Sequence, residues 1–152
     1  MIKIRQANSE DGYQVKELIA GIMDKELPES SKVYPVEDID NPAEYYGGKN
    51  DIFLVAEIDS QIIGTVGIKE DTRSTALLRR LFVKKEFRQK GYGSELINKA
   101  LDFCKKHSYN KVIFRGTDMM QTALKVCLKN GFKEKDIIDL PNLKMFILEK
   151  KI

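Results

Sequence analysis

The chain has 152 residues, of which 42% are hydrophobic and 32% are charged, and its formal net charge is +3 at pH 7. This length predicts one domain spanning residues 1–152, and the balance of apolar and charged residues excludes a disordered chain. Because the net charge is small and the basic residues cluster only between residues 79 and 90, we expect no nucleic-acid partner.

The cysteines, the histidine and the hydropathy pattern exclude three further classes of protein. Cys104 and Cys127 are the only cysteines, so no disulfide framework is expected. His107 is the only histidine, and one histidine cannot build a histidine metal site, so we expect no metal. No apolar run could span a membrane and the N-terminus lacks the apolar core of a signal peptide, which favours a cytoplasmic protein without membrane contact.

A strand and an amphipathic helix are the first predicted elements. Residues 2–6 alternate between apolar and polar side chains, which is typical of a strand. Asn8 or Ser9 can cap a following helix, and Pro28 ends it. Five apolar residues recur in this helix at helical spacing and predict one buried stripe: Val15, Leu18, Ile19, Ile22 and Met23.

The next segment shows little periodicity and leads into a meander of three strands. Residues 28–40 are predicted as a loop, and a short helix begins at Asn41-Pro42 and runs through Tyr46, because proline is favoured at the first helical position. The predicted strands are Ile52–Ile58, Gln61–Lys69 and residues 75–83, with turns at Asp59-Ser60 and at residues 70–74. Turns this short require antiparallel strands.

Two helices and three strands are predicted in the second half of the chain. Residues 93–107 form a helix whose inner face carries Leu96, Ile97, Ala100, Leu101 and Cys104. This helix is a crossover, so the strand Lys111–Arg115 is predicted to lie parallel to strand 75–83. A helix over residues 119–130 and strands at Phe132–Lys135 and Leu143–Glu149 follow. The order predicts an α/β (α+β) fold with a mixed sheet flanked by about four helices.

A glycine-bearing loop joins strand 75–83 to helix 93–107. It reads Arg88-Gln-Lys-Gly91-Tyr-Gly93-Ser94. Backbone N–H groups at a helix start have no intrahelical partner, and the helix dipole favours negative charge there. The simplest ligand is a pyrophosphate, although an ordinary strand-to-helix turn also carries glycine, so the context decides.

Four short sequence motifs along the chain resemble those of the GNAT superfamily of acyl-CoA N-acyltransferases. They are the loop pattern Arg88-x-x-Gly91-x-Gly93, the strand Leu78 to Val83 before it, the stretch Ala123 to Phe132, and the hairpin phrases Phe53 to Glu57 and Ile62 to Val66. The resemblance covers almost the whole chain. It implies the GNAT fold, in which antiparallel N-terminal strands precede a central parallel pair that splays apart.

The resemblance also implies a co-substrate and a reaction. Acetyl-CoA would lie in the splay, with its pantetheine arm along the strand and the thioester carbonyl facing a backbone N–H. A small-molecule amine or a protein amino group would attack it directly in a ternary complex. Such proteins are often dimers, so a homodimer is also an option. The implied cofactor-binding residues are Leu81, Phe82, Val83, Arg88, Gln89, Lys90, Gly91, Tyr92, Gly93 and Ser94.

The proton-handling residues expected from the resemblance are replaced here. Leu77 stands where many such proteins have a glutamate base, Met120 where an asparagine is common, and Cys127 where a tyrosine acts as general acid. Cys127 is either that acid, with a free thiol pKa of ~8.5, or a core residue. Further candidates are Tyr34, Tyr45, Tyr46 and Asp118; the favoured interpretation is that the tyrosines pack with wet hydroxyls and that Asp118 caps a helix.

Two other functions stay open beside the transferase. The three replacements also fit an acyl-CoA-binding module or sensor without transfer activity. A dinucleotide-binding domain is disfavoured, because Leu96 stands at the third glycine of its fingerprint. For a transferase, carboxylates in residues 28–50 and 136–143 predict an acidic rim for a cationic acceptor: Glu29, Glu37, Asp38, Asp40, Glu44, Asp136 and Asp139.

Overall fold

A computed structural model describes residues 1–30, 33–34 and 36–152. Ser31, Lys32 and Pro35, which belong to the predicted loop of residues 28–40, lie outside these ranges. The strands are β1 (Lys3–Gln6), β2 (Ile52–Ile58), β3 (Gln61–Thr72), β4 (Thr75–Val83), β5 (Lys111–Thr117), β6 (Lys133–Leu140) and β7 (Leu143–Lys151). The helices of the described ranges are α1 (Gly12–Glu26), α2 (Glu37–Asp40), α3 (Pro42–Tyr45), α4 (Tyr92–Lys106) and α5 (Gln121–Lys129).

The strands form one mixed sheet in the order β1-β2-β3-β4-β5-β7-β6. Strands β4 and β5 are parallel, and every other neighbouring pair is antiparallel. Helix α4 is the crossover that makes the parallel pair possible. The mixed α/β fold predicted from the sequence is therefore confirmed.

The parallel pair separates partway along its length. Pairing runs from Thr75 opposite Lys111 to Leu78 opposite Phe114 and then stops. Strand β4 continues to Val83 and β5 to Thr117, so both strands extend beyond their last shared pair. This splay leaves the facing backbone groups of β4 without a neighbouring strand.

The two long helices bury the faces that their periodicity predicts. The five stripe residues of α1 and the five inner-face residues of α4 are all buried. At the start of the first helical segment, the Glu10 amide donates to the Asn8 side-chain oxygen over 2.8 Å, so Asn8 is the cap. Within the described part of the chain, no helix has the length and apolar character needed to cross a membrane.

Three element predictions need correction. Residues 37–40 form α2 instead of loop, because Asp38 and Ile39 are drawn into the interior. Strand β3 runs to Thr72, so only residues 73 and 74 separate it from β4. Strand β6 extends to Leu140, and all of its residues before Leu140 are exposed, which removes the apolar alternation that would predict a strand.

Candidate active site

A cavity of about 520 Å³ opens where β4 leaves β5, and we call it the loop cavity. Its walls come from the end of β4, the glycine-bearing loop, and the start of α5. Nine of the ten residues that the sequence places at a cofactor line it: Leu81, Phe82, Val83, Arg88, Gln89, Gly91, Tyr92, Gly93 and Ser94. Lys90 is exposed and lies outside the lining.

The loop that lines this cavity has a run of backbone amides without a backbone acceptor. Gln89 and Gly91 have positive φ angles of 62° and 84°, and α4 begins directly afterwards at Tyr92. The first helical hydrogen bond in α4 joins the Glu95 amide to the Gly91 carbonyl over 3.1 Å. The amides from Gln89 to Ser94 donate to no described backbone oxygen. Such a run of unpaired amides at a helix N-terminus binds anions.

Strand β4 offers a second set of free backbone groups to the cavity. The Lys84 amide donates to the Ile63 carbonyl over 2.8 Å. The direction of the backbone N–H and C=O groups alternates along a strand. The backbone groups of Phe82 therefore also face β3, whereas those of Leu81 and Val83 face the splay. An extended chain lying in the splay would therefore find ladder partners at the backbone groups of Leu81 and at the Val83 amide, because the Val83 carbonyl already accepts a hydrogen bond from Arg88.

The Arg88 side chain holds the cavity together. Its Nε donates to the Val83 carbonyl over 2.8 Å, and its Nη atoms donate to the Glu26 carboxylate over 2.7 and 3.1 Å. The guanidinium thus fastens the end of β4 to α1. Lys125 and Lys129 also line the cavity. Their spacing of four residues on an exposed helix face was a signal that sequence analysis overlooked.

A second cavity of about 280 Å³ lies between β4, β5 and Tyr34, and we call it the arginine cavity. Its described lining includes Arg79, Arg80 and Arg115 but no carboxylate. Phe82 and Met120 line both cavities, so the two cavities meet at these side chains. The carboxylates of the expected acidic rim do not belong to the described wall of this cavity, and the rim stays a prediction.

A buried ion pair fixes the bend in β4 beside the arginine cavity. Arg80 has a positive φ of 55°, and its Nε and Nη2 donate to Asp38 over 2.9 and 2.8 Å. The Tyr46 hydroxyl donates to the same carboxylate over 2.7 Å. Burial alone would raise the pKa of Asp38, but the hydrogen bonds and charge of Arg80 outweigh it and the pKa is lowered. Asp38 therefore stays ionised at neutral pH.

Tyr34 points its hydroxyl into the interior at the junction of the cavities. The hydroxyl donates to the Arg115 carbonyl over 2.7 Å and lies 3.5 Å from the Met120 sulfur. Burial raises the pKa of Tyr34 to about 12, although Arg80, Arg79 and Arg115 oppose the rise. The prediction of solvent-exposed hydroxyls is wrong for Tyr46, which is 1% exposed. Tyr34 is half-buried and Tyr45 is 38% exposed.

Cys127 lies in the core of the described structure. Its side chain is fully buried and lines neither cavity. Burial raises the pKa of its thiol to about 12. The catalytic role stays a prediction, and the geometry favours the packing role. Asp118 is not the expected helix cap, because α5 has Met120 at that position.

Comparison with known proteins points in the same direction as the geometry. The family description Acetyltransferase (GNAT) family matches residues 19–132. A probable N-acetyltransferase of Xenopus tropicalis, camello, is 31% identical over 107 residues, which cover 69% of this chain and 49% of that protein. The chain thus spans about half the length of the curated relatives it matches.

Solved structures resemble the fold along its whole length. PaiA N-acetyltransferase from Thermoplasma acidophilum, solved in complex with coenzyme A, has a TM-score of 0.81 at 29% identity, covering 100% of this chain and 99% of that one. A GNAT-family acetyltransferase from Staphylococcus aureus Mu50 has a TM-score of 0.86 and covers 99% of both chains. Because the two sequences are only 20% identical, this similarity concerns the fold alone.

Proposed function

This protein belongs to the acetyltransferase (GNAT) family, and we propose that it transfers an acetyl group from acetyl-CoA to a primary amine in a ternary complex. The observation that carries the proposal is the run of free amides from Gln89 to Ser94, which opens on a cavity at the point where β4 and β5 separate. One sheet and one core support the interpretation of residues 1–152 as a single domain.

Different residues of the loop cavity bind different parts of acetyl-CoA. The loop amides and the dipole of α4 hold the diphosphate, with Lys125 and Lys129 adding positive charge nearby. The backbone groups of Leu81 and the Val83 amide pair with the pantetheine arm, whereas the Val83 carbonyl is held by Arg88. Phe82 and Met120 then flank the thioester at the junction of the cavities.

The chain's own groups favour direct attack by the amine. The arginine cavity gives an acceptor access to the junction from the opposite side. A β4 amide that faces the splay can donate to the carbonyl oxygen as negative charge develops on it. Holding the two reactants in contact supplies most of the rate enhancement, because proximity alone is worth about 7–11 kcal/mol.

The test replaces the glycine with the left-handed conformation. In the Gly91→Asp variant a carboxylate enters the anion cradle, and φ of 84° is strained for any residue with a side chain. We expect the affinity for CoA, measured by calorimetry, to fall about 100-fold, as a loss of about 3 kcal/mol of charge-assisted hydrogen bonding implies.

Gly21→Asp is the matched control. Gly21 lies inside helix α1, and a Cβ built there meets no atom within 4 Å. This variant should bind CoA like the unmodified protein and have the same unfolding midpoint. Unchanged CoA affinity in Gly91→Asp, with the fold intact, would contradict the proposed cradle.

An acyl-CoA sensor is the second candidate function, and the burial of Cys127 favours it. A sensor needs the loop cavity but no proton donor at the thioester. Release of free thiol from acetyl-CoA, followed over a panel of amines, separates the two functions. Tight CoA binding without thiol release on any amine would establish the sensor. A cytoplasmic location and a homodimer stay predictions from the sequence.

A further inference from the structure

We propose that the acceptor is a small amine that also carries a carboxylate, and that Arg115 and Arg79 bind this carboxylate in the arginine cavity. The inference rests on the proposed function and names its substrate class. Four observations carry it: the excess of positive charge, the free guanidinium of Arg115, the size of the cavity, and its contact with the loop cavity.

The charges around the arginine cavity do not balance. Arg79, Arg80 and Arg115 line it, and the nearby carboxylate of Asp38 is already paired with Arg80 through two hydrogen bonds. Arg79 forms a longer ion pair with the same carboxylate, at 3.9 Å and beyond hydrogen-bond distance, so the two arginines share one negative charge. Counting these four residues, two positive charges remain without a matching carboxylate.

Arg115 presents the more accessible of the two remaining charges. It follows Phe114, the last β5 residue paired with β4, and is exposed. Within the described ranges its guanidinium makes no hydrogen bond or ion pair, and only its main-chain carbonyl is engaged, by Tyr34. A planar guanidinium binds a carboxylate through two parallel hydrogen bonds.

Both arginines line the cavity in which the acceptor is expected. Tyr34 lines it too, and its hydroxyl lies 3.5 Å from the sulfur of Met120, which borders both cavities. A volume of about 280 Å³ suits a small molecule. The other lining residues of the described wall are mainly apolar, so they suit the carbon skeleton of an amino acid and not a polar chain.

The same charges would help the acceptor lose its proton. Positive charge near an ammonium group lowers its pKa, because the charged form is repelled. This effect increases the fraction of neutral amine in the arginine cavity, whose wall carries Leu77 at the position where the family resemblance implies a glutamate base. Diamines would suffer the repulsion without gaining a carboxylate contact, so we expect them to be poor acceptors.

The experiment compares amines that differ in one group. Glycine, β-alanine and L-phenylalanine are each assayed against the corresponding amide by thiol release from acetyl-CoA, with rates corrected for the fraction of neutral amine. Putrescine tests a second positive charge, aminomethylphosphonate tests another anion, and a short peptide with a free N-terminus tests a protein acceptor. We expect at least one free acid to exceed its amide about 10-fold to 100-fold in kcat/KM, as loss of one charge-assisted contact implies.

Arg115→Gln locates the contact. It should raise KM for the free acid about 10-fold or more and leave KM for acetyl-CoA and for the amide unchanged. Lys105→Gln removes one charge from an exposed position on α4 and should change none of these constants. Arg79→Gln should act in the same direction as Arg115→Gln, provided that its unfolding midpoint is preserved.

The possible outcomes separate this inference from the proposed function. Equal or better use of amides, putrescine, the phosphonate or the peptide would overturn the carboxylate site and leave the transferase standing. If no amine is acetylated, the proposed function fails, and binding of the unreactive glycolate and 3-hydroxypropionate to the CoA-bound protein then decides. Weaker binding to Arg115→Gln would support the site, and undetectable binding to the unmodified protein would overturn it.

Discussion

At the scale of single residues, Cys127 shows how burial decides a chemical role. Its position in the resemblance suggests a general acid, but its thiol lies in the core and burial raises its pKa to about 12. A thiol that holds its proton so strongly is a poor donor to a thiolate leaving group near neutral pH. The burial of the side chain therefore favours packing as its role.

Replacement of Cys127 tests this interpretation. We expect Cys127→Ala to lower the free energy of unfolding by about 1–2 kcal/mol, because it removes a buried side-chain atom, and to leave the turnover rate within about 2-fold of its original value. The measurements are urea denaturation and the pH profile of turnover. A turnover rate that falls by about 10-fold or more, together with a shifted pH profile, would restore the catalytic role.

Tyr34 and Arg115 show that a contact between distant residues cannot be predicted from either residue's local sequence. Neither has a periodicity or a motif that predicts its neighbour, because they lie 81 positions apart and meet only through the hydroxyl-to-carbonyl hydrogen bond. The residues of the glycine loop were predictable because their function depends on local backbone geometry. The acceptor side depends on contacts between distant segments, and local patterns cannot show those.

At the scale of elements, the bend in β4 depends on the short helix α2. Asp38 in α2 accepts two hydrogen bonds from Arg80 and one from Tyr46, and all three residues are buried. The Thr65 hydroxyl also donates to the Arg80 carbonyl over 2.7 Å. These contacts hold a non-glycine residue at positive φ in the strand that borders both cavities.

Asp38→Asn tests this support. The variant removes the negative charge that accepts two hydrogen bonds from the buried Arg80, so we expect the free energy of unfolding at pH 7 to fall by about 3–5 kcal/mol. Asp40→Asn is the control, because its partner Lys16 and Asp40 itself have side chains 57% and 64% exposed; it should cost less than about 1 kcal/mol.

The pH dependence of that difference distinguishes charge from packing. The folded-state pKa of Asp38 is lowered, so its stabilising effect is full above the unfolded pKa of about 3.9 and is lost as the pH falls through the folded value. The difference between the unmodified protein and Asp38→Asn should therefore be constant above about pH 5 and shrink in acid. A difference that stays constant down to about pH 2 would assign the effect to packing.

Prediction of the elements succeeded where one face is buried. Helices α1 and α4 have apolar stripes, and both stripes are buried as predicted. Strand β6 has no buried face over most of its length, and α2 is buried through an ion pair that no local pattern encodes. The errors thus lie in elements whose stability comes from distant partners.

At the scale of the whole molecule, the sheet order places the two cavities against one another. The splay of β4 from β5 was implied by the family resemblance, but the meeting of the cavities at Phe82 and Met120 requires the folded arrangement. An acyl donor in one cavity and an amine in the other would approach each other directly. Among the described residues, those that line both cavities are Phe82 and Met120, and neither side chain is a nucleophile.

This arrangement predicts the kinetic pattern. If both substrates must be bound together, double-reciprocal plots at several fixed concentrations of acetyl-CoA should intersect, and incubation with acetyl-CoA alone should yield no acetylated protein that an amine can discharge. Initial rates and intact-mass spectrometry measure the two effects. Cys127→Ala serves as a variant that lacks the thiol at the expected position of the general acid. Parallel lines, together with an acetyl group that is lost on addition of amine, would contradict direct transfer and show a covalent intermediate. Intersecting lines that persist in Cys127→Ala would show that direct transfer does not depend on this thiol.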